Sequence, residues 1–147
     1  MTTSIEKEIG FDAGHRVPGH VSKCKNPHGH RYRVIVTLGG DIIRTPGHPE
    51  EGMLTDFGFM KEVLMKKVHD VLDHGFIVWE QDAELYRALC DNDFGWKVIL
   101  FPYVPTAENI ARWISDEIED DVYRAEQLWL EKVTVYETPT SMASYRP

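Results

Sequence analysis

Along "RYRVIVTL" the apolar side chains fall at every second position, so Tyr32, Val34, Val36 and Leu38 share one face of a predicted strand running from Arg31 to Leu38. Residues 4 to 14 predict another strand ahead of it. The Gly- and Pro-dense "GGDIIRTPGHPEEG" then interrupts the pattern with a loop, and the period changes. In "FGFMKEVLMKKVHDVL" the residues Met60, Val63, Leu64, Lys67, Val68, Val71 and Leu72 recur near helical spacing, giving one apolar stripe flanked by lysines. Patterning then weakens, supporting only a short helix around Ala83 to Leu89 and extended chain around "WKVILF". It sharpens at "PTAENIARWISDEI", where Thr106 can cap a helix with the stripe Ala107, Ile110, Ala111, Ile114 and Ile118. In the strand-like "LWLEKVTVYE", Glu131, Val133, Val135 and Glu137 fall on one face, and "SMASYRP" adds a short closing strand.

Strands, then helices, then strands again predict one α+β domain over residues 1–147, with helices covering one face of a largely antiparallel sheet. A chain of this length can enclose a core without a metal or a disulfide to hold it together. Any metal would therefore be more than a folding staple. The open sheet leaves edges that a homo-oligomer would cover.

Composition narrows the classes. The formal net charge of −8 argues against broad nucleic-acid binding, which needs a basic face to displace counterions. No apolar run is long enough for a membrane span, and "MTTSIEKEIGF" lacks the basic-then-apolar pattern of a secretory signal. A cytoplasmic protein is expected, with Cys24 and Cys90 as reduced thiols. The charge is also segregated: from Ala13 to Gly40 there is no Asp or Glu, while Arg16, Lys23, Lys25, Arg31 and Arg33 stand together. Such a window suits an anionic small molecule such as a phosphate ester, or is simply a basic turn.

That window, "HRVPGHVSKCKNPHGHR", also holds four of the seven histidines. His28 and His30 are two apart, so both rings point to one side if they open the second strand. His15, at the end of the first strand, is the natural third. Three neutral imidazoles suit a divalent zinc ion and leave a coordination position open. His20 is less constrained on the intervening loop, and His48 and His69 read as ordinary surface or helix histidines. Two uses are open to Cys24: a fourth ligand closing a structural site, or a thiolate, favoured by Lys23 and Lys25, that moves a proton. Asp73 and His74 in "LDHG" are either a polar helix exit or its partners in that transfer. Glu137, a carboxylate beside Val133 and Val135, needs a partner: an arginine, solvent at the strand end, or a planar ligand with adjacent ring N–H and amino donors.

Together, "FDAGH", "CKNPHGHRY", "GMLTDFGFMK", "LDHGF", "PTAENIARW" and "VYETPT" resemble, in order and over nearly the whole chain, the 6-pyruvoyltetrahydropterin synthase and 6-carboxytetrahydropterin synthase family. The resemblance implies zinc on His15, His28 and His30, catalysis by Cys24 with Asp73 and His74, and a pterin ring anchored by Glu137 in a pocket shared with Thr106 and Glu108. It implies a tunnelling fold: a four-stranded antiparallel sheet with two main helices on one face, sheets joined into barrels by oligomerisation, and active sites at subunit interfaces. "KC" before "HGH" and the ending "ETPTSMASYR" are most similar to the bacterial 6-carboxy branch. Those enzymes convert 7,8-dihydroneopterin triphosphate and water into 6-carboxy-5,6,7,8-tetrahydropterin, acetaldehyde and triphosphate on the route to 7-deazaguanine nucleosides such as queuosine. The pyruvoyl branch, which keeps the side chain, and a non-catalytic zinc-binding protein are the alternatives. The loop from Asp41 to Gly52 and the acids Asp91 and Asp93 look like local variations at the pocket rim.

Overall fold

The computed structural model describes residues 3–125 and 127–147. Two long strands, β1 (Thr3–His15) and β2 (His28–Gly40), form an antiparallel pair with Thr3 opposite Gly40 and His15 opposite His28. A 3-10 turn at Lys23–Lys25 interrupts the loop between them, with the Ser22 hydroxyl accepting the Cys24 N–H. Helix α1 (Phe57–Leu64) starts at Asp56, whose carboxylate accepts the Gly58 N–H. It runs on through a π-helical segment, Met65–His69, and a last α turn, Asp70–Leu72. Met60, Leu64, Val68 and Leu72 are all buried, a strict four-residue spacing that would drift around a regular 3.6-residue helix. The wider π turn takes up that drift and keeps the row facing the sheet.

β3 (Gly75–Trp79), helix α2 (Ala83–Cys90) and β4 (Val98–Phe101) follow, then helix α3 (Ala107–Tyr123), β5 (Leu128–Thr138) and β6 (Ser141–Tyr145). Thr106 caps α3 by accepting the Asn109 N–H, as its position predicts, and Ile110, Ala111, Ile114 and Ile118 are buried. They pack with Phe11, Tyr32, Val34, Val36, Val133 and Val135 into one core. A bulge between Thr37 and Leu38 of the β2–β5 ladder shifts the alternation of β5, so the buried residues are Leu128 and Leu130 before it and Val133 and Val135 after it.

Among the described residues the strand order is β4-β3-β1-β2-β5-β6, six strands with three helices, which corrects the expectation of four antiparallel strands with two helices. The antiparallel four, β1, β2, β5 and β6, are present. β3 and β4 are added in parallel, β3 to β1 and β4 to β3. "GFIVW" lacks alternation because Ile77 and Val78, successive residues of the parallel-paired β3, are both buried, whereas "VILF" is an apolar edge strand whose Leu100 stays exposed. β3 meets β1 only at Ala13 and Gly14, so among the described residues the edge of β1 from Thr3 to Asp12 has no strand partner. The sheet face turned away from the helices is polar. Arg31 pairs with Asp12 at 3.0 Å, Arg33 lies 3.4 Å from Glu8, and the Thr37 hydroxyl donates to Glu6.

Candidate metal centre and proton-transfer residues

The register of β1 and β2 sets His15 opposite His28 and Ala13 opposite His30, bringing the three rings to one end of the sheet. Their ligating atoms lie within 4.8 Å of one another. His15 is fully buried, and its Nδ1–H donates to the Pro105 carbonyl at 2.7 Å; the Nδ1–H of His28 donates to the Asn26 carbonyl at 2.7 Å. A carbonyl only accepts, so both Nδ1 atoms carry the proton and the neutral rings offer Nε2 lone pairs. Those two Nε2 atoms face each other at 3.2 Å. The Nε2 of His30 is buried and has no hydrogen-bond partner among the described residues.

Glu137 adds a carboxylate. Its Oε1 lies 3.2 Å from His15 Nε2 and 3.5 Å from His30 Nε2. Hydrogen bonding to His15 holds the Glu137 carboxyl below its ordinary value in spite of burial, and burial lowers His30. Three ring nitrogens and one carboxylate thus converge with no positive charge fixed among them. A divalent cation on all three nitrogens would meet that demand. The residues fit a metal, and the backbone carbonyls that orient two of the rings are the outer partners such ligands require.

Cys24 stands outside the histidine group. It lines a cavity of about 250 Å³ together with His20, Thr106, Glu108, Glu137 and Met142. Asp73 and His74 are elsewhere: His74 lines an open groove of about 440 Å³ with Asp12, Gly14, Gly29, His30 and Arg31. The structure therefore brings Cys24, Thr106, Glu108 and Glu137 together in one cavity but does not bring Cys24 and His74 into hydrogen-bond contact within one chain. The Asp73–His74 pair is well made on its own. His74 Nδ1–H donates to Asp73 Oδ2 at 2.6 Å, and Asp73 Oδ1 accepts the Asp12 N–H, the chief reason its carboxyl sits below the ordinary value. The His74 backbone has φ 57, the one left-handed non-glycine among the described residues.

Other expectations are modified. The basic window loses its isolation, because Arg16 donates to Asp82 at 2.6 Å and Arg31 and Arg33 meet Asp12 and Glu8. Acids outside the window thus pair with its three arginines and leave Lys23 and Lys25 beside Cys24, which a linear charge count does not show. His20, set aside on the loop, lines the Cys24 cavity, its Nδ1 accepting from Ser22. The carbonyls of Pro105 and Asn26 were not foreseen, since backbone acceptors leave no residue-type signal. Cys24 and Cys90 are both free thiols.

A family model described as 6-pyruvoyl tetrahydropterin synthase matches residues 4–147. The chain belongs to this family. It is 35% identical over 148 residues to the 6-carboxy-5,6,7,8-tetrahydropterin synthase of Haemophilus influenzae, covering 97% of each chain. It is 32% identical to the protein of that name from Aquifex aeolicus, covering 99% of each. Among solved structures, 6-pyruvoyl tetrahydropterin synthase of Caenorhabditis elegans superposes with a TM-score of 0.68 at 26% identity, covering 100% of this chain and 96% of that one. An uncharacterized protein of Wolinella succinogenes superposes with a TM-score of 0.82 at 23% identity, covering 99% and 98%, which shows the shared tunnelling-type α+β fold. No helix of the described residues is long and apolar enough to cross a membrane.

Proposed function

We propose that the protein is a zinc-dependent 6-carboxy-5,6,7,8-tetrahydropterin synthase, converting 7,8-dihydroneopterin triphosphate and water into the 6-carboxy pterin, acetaldehyde and triphosphate. The observation that carries this reading is the convergence of three imidazoles and the Glu137 carboxylate beside the cavity that Cys24 lines. Family membership and the relatives bearing that name support it. His15, His28 and His30 would hold the zinc ion, which when bound supplies Lewis-acid polarisation of the substrate's side-chain oxygens. Glu137 accepts the adjacent N–H and amino donors of the pterin edge, with Thr106 and Glu108 lining the same cavity. Cys24 takes a proton from the side chain as a thiolate, next to Lys23 and Lys25. His74, whose Nδ1–H is engaged by Asp73, keeps its Nε2 lone pair free to exchange a proton.

Cys24 and His74 line different openings of one chain, so the reading includes a homo-oligomer in which the partner subunit's His74 reaches Cys24. The unpaired edge of β1 and the exposed edge strand β6 offer the surfaces for it. The expected substrate is a small polar molecule, with no role for nucleic acid or membrane.

The test is to incubate zinc-loaded protein with 7,8-dihydroneopterin triphosphate, weigh the pterin product by mass spectrometry and assay acetaldehyde. The 6-carboxy product with acetaldehyde is expected; a retained three-carbon side chain would reassign the enzyme to the pyruvoyl reaction. Cys24→Ala should abolish turnover while keeping metal and much of the pterin binding, and unimpaired turnover would remove Cys24 from its role.

A further inference from the structure

We infer that Lys97 is a positioning residue for His74, fixing the peptide that points its imidazole; the inference rests on the reading of His74 as a proton-transfer group. His74 occupies a left-handed backbone conformation, which costs a side-chain-bearing residue about 1 kcal/mol or more and persists only where the surroundings hold it. Part of that hold is visible beside it, in the His74 N–H donated to the Asp12 carbonyl at 2.7 Å. The other part comes from Lys97. Its ammonium donates to the Asp73 carbonyl at 2.7 Å and to the Asp70 carbonyl at 2.9 Å.

The Asp73 carbonyl belongs to the peptide plane between Asp73 and His74, so its direction is set by ψ of Asp73 and φ of His74 together. Rotating His74 to an ordinary negative φ would swing that plane and break the bond to Lys97. The Asp70 carbonyl belongs to the last turn of α1, where a cation also meets the negative end of the helix. Residue 97 grips the far side as well, because its own carbonyl accepts the Phe76 N–H at 2.9 Å. His74 is thus bracketed before and after by one residue that arrives with β4. Gly75 lets β4 pack close by, since a Cβ there would run into Ile99 Cδ1.

The device explains how the segment leading into β4 bears on the site although it does not line the Cys24 cavity. Without the two carbonyl contacts, the Asp73–His74 hydrogen bond would remain chemically possible but the imidazole would lose its single direction. A misplacement of about 1 Å of a proton-transfer group costs on the order of 100-fold in rate.

The experiment compares Lys97→Met, Lys97→Gln and Lys97→Arg in the zinc-loaded protein. Lys97 is exposed, so folding and metal content should match the unmodified protein in all three. In Lys97→Met, kcat should fall between about 10-fold and 100-fold with KM for the pterin triphosphate within about twofold; Lys97→Gln should fall between the two, and Lys97→Arg should recover most of the rate. Nitrogen-15 correlation spectra of the His74 ring, recorded without substrate, should show one Nδ1–H tautomer in the unmodified protein and an averaged or second tautomer in Lys97→Met. Unchanged ring signals, or a KM rise at unchanged kcat, would overturn the inference. If the unmodified protein does not turn over the pterin at all, the proposed function fails, and the ring spectra still decide whether Lys97 positions His74.

Discussion

The histidine cluster and the Asp73–His74 pair hold imidazoles in opposite ways. His15 is fully buried at the end of a thirteen-residue strand, its ring locked by one backbone carbonyl and its neighbours set by a regular ladder. His74 is 79% exposed, sits on a turn in a left-handed conformation and is directed by hydrogen bonds alone. A metal ligand must converge on a point with others, so it belongs on rigid paired strands, where bond directions are redundant. A group that exchanges a proton with a substrate must remain reachable. Its precision has to come from a few bonds at an open surface, and those are easier to undo.

The largest break in that comparison comes from His30→Ala. Its Nε2 is buried and unpartnered, so removing it should cost stoichiometric metal and take turnover below detection while the core stays folded. Metal analysis and the visible spectrum of a cobalt-loaded sample check it, and full metal content would exclude His30 as a ligand. Asp73→Asn tests the exposed half. Turnover should fall about 10² to 10⁴-fold, the usual range for a general acid–base group, with metal content unchanged. A loss of metal in this variant would show that the two halves are not independent.

A third variant separates scaffold from site. Arg16 and Asp82 form a largely buried pair that also caps α2, and leaving Asp82 unpaired in Arg16→Met should cost about 3 kcal/mol in denaturant unfolding at neutral pH. Hydrogen bonding to Arg16 lowers the Asp82 carboxyl, so the stability it contributes is complete above the ordinary carboxyl value and lost as pH falls through the lowered one. The unmodified protein should therefore lose more stability in acid than Arg16→Met does, and equal acid slopes would dismiss the pair. The smallest effect is expected at Tyr32, whose fully buried hydroxyl has no partner among the described residues. Tyr32→Phe should change stability by less than about 1 kcal/mol, or raise it, since no hydrogen bond is lost. A clear drop in melting temperature would reveal a partner for that hydroxyl in the assembled protein.

The same contrast governs what could be read from the chain beforehand. β2, α1 and α3 were legible because one face of each is buried and the other wet, which stamps a period on the sequence. β3 escaped because parallel pairing buries "GFIVW" without alternation. His28 and His30 were legible from their spacing in a strand, and His15 from its place at the end of another. The separation of Cys24 from His74 was not, nor the hold of Lys97 on the Asp73 carbonyl 24 residues earlier. Such relations depend on how distant segments meet, and residue type and spacing do not encode them locally.

The β1–β2 ladder has one more consequence. In an antiparallel pair, a slip of a single residue turns every side chain of one strand to the opposite face. Such a slip would expel Tyr32, Val34, Val36 and Leu38 from the core and put His28 and His30 on the far side of the sheet from His15. The triad then exists only in the native pairing, so a metal held by these three rings would reward that pairing alone, and a misregistered chain would lack the site.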